Sequence, residues 1–178
     1  MNPILVIGYG NPLRGDDGVG WRVAEEAAAV LPDPPVTVLT VQLLTPELAD
    51  PISRSDRLIL IDAAAEGSPG EVRCFPIAAD SAAAASLAIG THEVTLDRLL
   101  GMAQELFGHC PPAYMVTIAG ESFEVSESLT PVVEAAVPEA MKCILALTDN
   151  ASGIVQRASS TASPPSLTTD TRTRSGQL

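Results

Sequence analysis

Ile4-Leu5-Val6-Ile7-Gly8-Tyr9-Gly10-Asn11-Pro12-Leu13-Arg14-Gly15-Asp16-Asp17-Gly18 is the stretch on which the fold is decided. Its first four residues are wholly apolar and the run ends on glycine, as expected of a buried strand that delivers the chain into a tight loop. A helix succeeds it from about Gly18 to Leu31, with Val19, Val23, Ala24, Ala27 and Val30 on one face at helical spacing. Pro32-Asp33-Pro34-Pro35 stops it. Strand, glycine loop and helix in that order open a parallel α/β sheet.

The same alternation continues. Val36 to Val41 reads as the second strand, and Thr45-Pro46-Glu47-Leu48 as the cap and first turn of a short helix. Arg57-Leu58-Ile59-Leu60-Ile61-Asp62 is an apolar strand closing on a carboxylate. Glu71 to Pro76 reads as a further strand, at an edge, and Ala82 to Ala85 as a connecting or short helical segment. The spacing predicts a long helix over Thr91 to Phe107, capped by Thr91, with Leu96, Leu99, Leu100, Ala103 and Phe107 along one side. Ala113 to Ala119 is the last buried strand. Pro131 to Leu147 is the closing helix, with Val133, Ala136, Val137, Ala140, Ile144 and Leu147 in register and a kink or restart expected at Pro138. Continuous apolar strands separated by helices predict a three-layer α/β sandwich: a twisted, mostly parallel sheet with helices on both faces.

Composition sets the limits around this fold. With 178 residues and 46% hydrophobic content, the chain is long enough for one domain with a real core. No apolar run reaches the ~18 residues of a membrane span. The N-terminus lacks the basic region of a signal peptide and reads as the first strand. Cys74, Cys110 and Cys143 are odd in number and widely spaced, which supports neither a disulfide framework nor a zinc knuckle, and suits reduced thiols in a cytoplasm. A net charge of −12 argues against nucleic acid. After about Asn150 the composition turns to Ser and Thr around Pro164-Pro165, without apolar periodicity. Residues 1–150 are therefore expected to form the domain, and 151–178 a disordered tail.

In doubly wound sheets, ligands bind outside the carboxyl ends of the strands, where strand order reverses. The first loop, the end of the third strand and the start of the helix at Thr91 all open on that edge. They carry Asp17, Asp62 and His92, two carboxylates and an imidazole suited to a borderline divalent metal such as nickel or zinc. Singly, each has a plainer reading. Gly8 and Gly10 permit a tight turn, and Asp16 or Asp17 caps the next helix. Asp62 is then a strand-end carboxylate, and His92 a first-turn residue. A GxGxxG nucleotide site fails because Leu13 stands where glycine is required.

Together the pieces form a pattern. Gly8-x-Gly10-Asn11-x-Leu13-x-x-Asp16-Asp17-Gly18-x-Gly20, then Ile61-Asp62-Ala63, then Thr91-His92-Glu93, resembles the [NiFe]-hydrogenase maturation endopeptidases over roughly residues 3–148. Gln42-Leu43-Leu44-Thr45-Pro46-Glu47-Leu48 is similar to the subset that serves cytosolic, bidirectional, NAD-coupled hydrogenases. The resemblance implies a hydrolase that removes a C-terminal extension from the hydrogenase large-subunit precursor once nickel is inserted. It also implies Asp17, Asp62 and His92 as the metal-contacting set, with nickel recognised in the substrate and no tightly bound organic cofactor.

No Ser-His-Asp, Cys-His or HExxH arrangement is evident, which sets aside those protease classes. On this reading the trio docks on nickel in the precursor. Water polarised by metal, or taken by Asp17 or Asp62 as base, then attacks the scissile bond. Asp16 is expected to cap the adjacent helix and hold the loop. The rival function is a non-catalytic nickel-sensing chaperone that binds the immature subunit without cutting it.

Overall fold

Alternate residues of a strand point to opposite faces of its sheet, and this chain uses both faces. The computed structural model describes residues 3–77 and 94–149. Five strands, β1 (Ile4–Tyr9), β2 (Val36–Val41), β3 (Arg57–Ala64), β4 (Val72–Ile77) and β5 (Ala113–Ala119), form one sheet in the order β2-β1-β3-β5-β4. The first four of that order pair in parallel; β4 lies at the edge expected for it and runs antiparallel to β5.

Ile4 and Val6, Ile59 and Ile61, and Val116 and Ile118 face one apolar layer, completed by α1 (Val19–Val30) and α4 (Pro131–Thr148). Leu5 and Ile7, Leu58 and Leu60, and Ala113 and Met115 face the other, completed by α2 (Ala49–Ser53) and α3 (Leu96–Phe107). The expected three-layer sandwich is the observed one. None of the described helices is long and apolar enough to cross a membrane.

Four local expectations are revised. Thr45 makes no side-chain cap; Pro46–Leu48 is a 3-10 turn that leads into α2. The second long helix starts at Leu96, with Thr95 in the cap position, so its beginning moves beyond Thr91. Phe107 is 49% exposed, because Leu99, Leu100 and Ala103 already fill the buried stripe. α4 runs through Pro138 without a break: Pro138 is exposed, so water can serve the carbonyl that its missing N–H leaves unpaired. The Ala82 to Ala85 segment, the Thr91-His92-Glu93 stretch and residues 151–178 lie outside the described residues.

The strand order fixes where a ligand is received. From β1 the chain crosses to β2 on one side and then returns past β1 to β3 on the other. The carboxyl ends of β1 and β3 thus border the point at which winding reverses, the place where sheets of this class form their ligand crevice.

Candidate active site

At that crevice β1 gives way to a loop shaped by glycine. Gly10 has φ +126°, and a Cβ on it would collide with the Asp17 carbonyl, so no other residue fits. The loop doubles back on itself: the Asn11 side chain accepts from Leu13 N–H at 3.0 Å, and the Asn11 carbonyl from Arg14 N–H at 3.0 Å. Gly15–Gly18 then makes one 3-10 turn, and α1 begins. Gly8 and Gly20 let helix and sheet touch backbone to backbone. A Cβ on Gly20 would strike the carbonyls of Tyr9 and Ile61, near the ends of β1 and β3 that border the crevice.

The two aspartates of this loop have separate tasks. Asp16 is fully buried and makes no cap for its neighbouring helix. Its Oδ2 accepts from Glu121 N–H (2.8 Å), Ser122 N–H (3.0 Å) and the Thr130 hydroxyl (2.9 Å), and its Oδ1 from Thr130 N–H (2.7 Å). Thr130 is the residue from which α4 starts, so Asp16 serves the N-terminus of a helix 114 positions away. Burial works against its ionisation, but the hydrogen bonds from Thr130, Ser122 and Glu121 win and hold the carboxyl below its ordinary range. The loops are stitched further by Gly15 N–H to Ser126 O (2.8 Å) and Ser126 N–H to Leu13 O (3.1 Å). The cap expected for the adjacent helix is corrected to a clamp between two loops.

Asp17 turns the other way. Its Oδ2 accepts from Asn11 N–H at 2.8 Å, and among the described residues Oδ1 has no donor. Asp62 lies near the end of β3, with the strand parity of Leu58 and Leu60, and so belongs to the α2–α3 face. Burial pushes its carboxyl up to about 6; the Tyr9 hydroxyl and Ala63 N–H, both hydrogen-bonded to it, act against the shift, and the Asp17 charge adds to it. Tyr9 in turn is raised, by burial and then by the Asp62 charge and hydrogen bond. Asp17 and Asp62 are thus brought together as two like charges in a confined space. A cation between them relieves both the repulsion and the desolvation.

Of the three residues singled out from sequence, the structure brings together Asp17 and Asp62, while His92 lies outside the described residues. Among the described residues no group of three His, Cys, Asp or Glu side chains forms a metal cluster. Two participants are missed by the sequence reading. Tyr9 stands as the variable position between Gly8 and Gly10, although its strand parity with Leu5 and Ile7 puts it on the Asp62 face. Thr130 carries no local signal, because its partner is distant in sequence.

Known proteins share this arrangement of chain. A family model described as hydrogenase maturation protease matches residues 21–147. The hydrogenase 2 maturation protease of Escherichia coli (strain K12) is 33% identical over 150 residues, which is 80% of this chain and 88% of that one. The solved hydrogenase maturating endopeptidase HybD of E. coli superposes with a TM-score of 0.69 at 30% identity, covering 82% of this chain and 91% of the other. A hydrogenase 2 maturation peptidase from a Thaumarchaeota archaeon gives a TM-score of 0.60 at 28% identity, covering 82% and 97%. The family match spans most of the chain, and the likeness of fold covers the sheet and its helices: this protein belongs to the hydrogenase maturation protease family.

Proposed function

We propose that this chain is the endopeptidase that removes the C-terminal extension of a [NiFe]-hydrogenase large-subunit precursor after nickel has been inserted. The observation that carries the reading is the Asp17–Asp62 pair at the reversal point of the sheet, in a chain of the maturation protease family. Two carboxylates and the imidazole of His92 make an incomplete shell, suited to a metal already held by a partner's ligands. Val94, two positions beyond His92, supports the histidine as third member. It packs against the α2–α3 layer and donates from its backbone to Leu44 O at 3.4 Å, and α3 covers the face to which Asp62 belongs.

With nickel in the precursor as the recognised group, each residue has a chemical task. Asp17, Asp62 and His92 bind the metal and thereby hold the scissile peptide over the crevice. Water is activated by the metal or by one of the two carboxylates as base, and attacks the peptide carbonyl. Asp62 with a carboxyl at about 6 is ionised at neutral pH yet basic enough to take a proton. Tyr9 orients it, and Asp16 keeps the 120–130 loop against the glycine loop that carries Asp17. The reaction belongs to the cytoplasm, and residues 1–150 suffice for it.

Intact-mass spectrometry of the precursor before and after incubation tests the proposal. Loss of one C-terminal peptide with the wild type and none with Asp62→Asn is the expected result. Stable binding of the precursor without any cleavage would instead make the chain a nickel-sensing chaperone. Precursors of the bidirectional, NAD-coupled type and of the hydrogenase 2 type, offered side by side, identify the partner.

A further inference from the structure

A pocket of about 160 Å³ lies between the first turns of α1 and the loop that leads into α4. Pro12, Trp21 and Leu129 line it with apolar surface, and Glu25 and Glu127 bring one carboxylate from the helix and one from the loop. Gly15 and Gly18, which flank the Asp16-Asp17 doublet, also line it, so the pocket adjoins the turn that carries Asp17. We propose that this pocket receives one arginine or lysine side chain of the hydrogenase large-subunit precursor, at a second point of contact beside the crevice. The inference rests on the maturation protease reading of that crevice.

Size, charge and aromatic surface each select this occupant. Small-molecule sites usually enclose about 300–1,000 Å³, so this one has room for a side chain and not for a folded element. Arg22 lines the pocket too, but its guanidinium is already engaged by Glu26 at 2.7 Å and Glu134 at 3.1 Å. Glu25 and Glu127 are exposed, and among the described residues neither makes an ion pair. An incoming cation therefore meets a surplus of negative charge. Trp21 is half-buried, and its Nε1–H donates to Val41 O at 2.8 Å, which fixes the ring. A fixed aromatic face attracts a cation. The methylene stem of the basic side chain packs on Pro12 and Leu129 while its head reaches the carboxylates.

Continuity names the source of that side chain. A precursor held at Asp17 is already at high local concentration over a pocket that shares the Asp17 turn, so even a weak extra contact adds to its affinity.

The test uses the full chain and the precursor, with affinity read by biolayer interferometry and cleavage by intact mass on the same samples. Cleavage decides the protease reading; affinity decides the role of the pocket, whether or not the precursor is cut. Glu25→Gln/Glu127→Gln should weaken precursor binding about tenfold, and added salt should narrow the gap from wild type. Glu139→Gln/Asp149→Asn removes the same charge from exposed positions outside the pocket and should bind as wild type does. Alanine replacement of the precursor's arginines and lysines, one at a time, should find one whose loss weakens wild type about tenfold and the pocket variant hardly further. Equal affinity of wild type and the pocket variant, a matching loss in the charge control, or losses that simply add for every precursor residue would each overturn the proposal.

Discussion

Asp62 holds a negative charge in a place that resists it, and titration should expose the cost. Its folded-state carboxyl lies at about 6, above the ordinary value of 3.8. A group raised in this way contributes stability below that ordinary value and loses it as pH rises through the folded value. Asp62→Asn should therefore be more stable than wild type at pH 7.5, by up to about 3 kcal/mol, and should lose the advantage at pH 4; urea unfolding at the two pH values measures both. In the proposed mechanism the ionised form is the one that acts, so kcat/KM of the wild type should fall on the acid side with a midpoint near 6. Asp16 behaves in the opposite sense. Its lowered carboxyl contributes stability above the ordinary carboxylate range and loses it as pH falls below. Whichever way its amide turns, Asp16→Asn sets an NH2 against at least one of the N–H donors of Thr130, Glu121 and Ser122, and the unpaired buried donor should cost about 2 kcal/mol. A loss below about 1 kcal/mol, the size of a simple helix cap, would contradict the clamp. Asp17 and Asp62 were legible in sequence as the carboxylates of the crevice, because strand ends and loop glycines announce themselves locally. The task of Asp16 was not, because its partners lie 105 to 114 positions away.

At the scale of elements, the packing of α1 on the sheet rests on two residues without side chains. Gly20 faces the carbonyls of Tyr9 and Ile61, and Gly8 faces that of Gly20. Gly20→Ala should force the helix off β1 and β3, with a stability loss of about 3 kcal/mol or more. It should also lower processing at a temperature where the fold persists, because the displaced helix drags the Asp17 loop with it. Thermal unfolding and the cleavage rate, measured on one preparation, check both effects. The sequence period predicted every described strand and every long helix, since each buries a face with the spacing of its type. It was weaker at ends and at breakers. The start of α3 and the continuity of α4 through Pro138 depend on which face meets water, and that is a tertiary property.

For the whole molecule, the readable feature was the class of sheet, and with it the edge on which function would sit. Strand order was not readable. Nothing in a run of apolar residues says that β5 separates β3 from β4, or that β4 reverses direction. A chain ending at residue 150 should keep the thermal midpoint and processing rate of the full protein, since the five strands and four α-helices of the described residues all lie within residues 4–148. Loss of cleavage with the fold intact would give the tail a role in binding the precursor. The central claim, that the crevice reads nickel in the precursor, is tested most directly with metal-stripped protein and two precursors that differ in nickel content alone. Mass spectrometry should show the nickel-loaded precursor shortened and the nickel-free precursor intact. Equal, efficient cleavage of the nickel-free precursor would contradict the account.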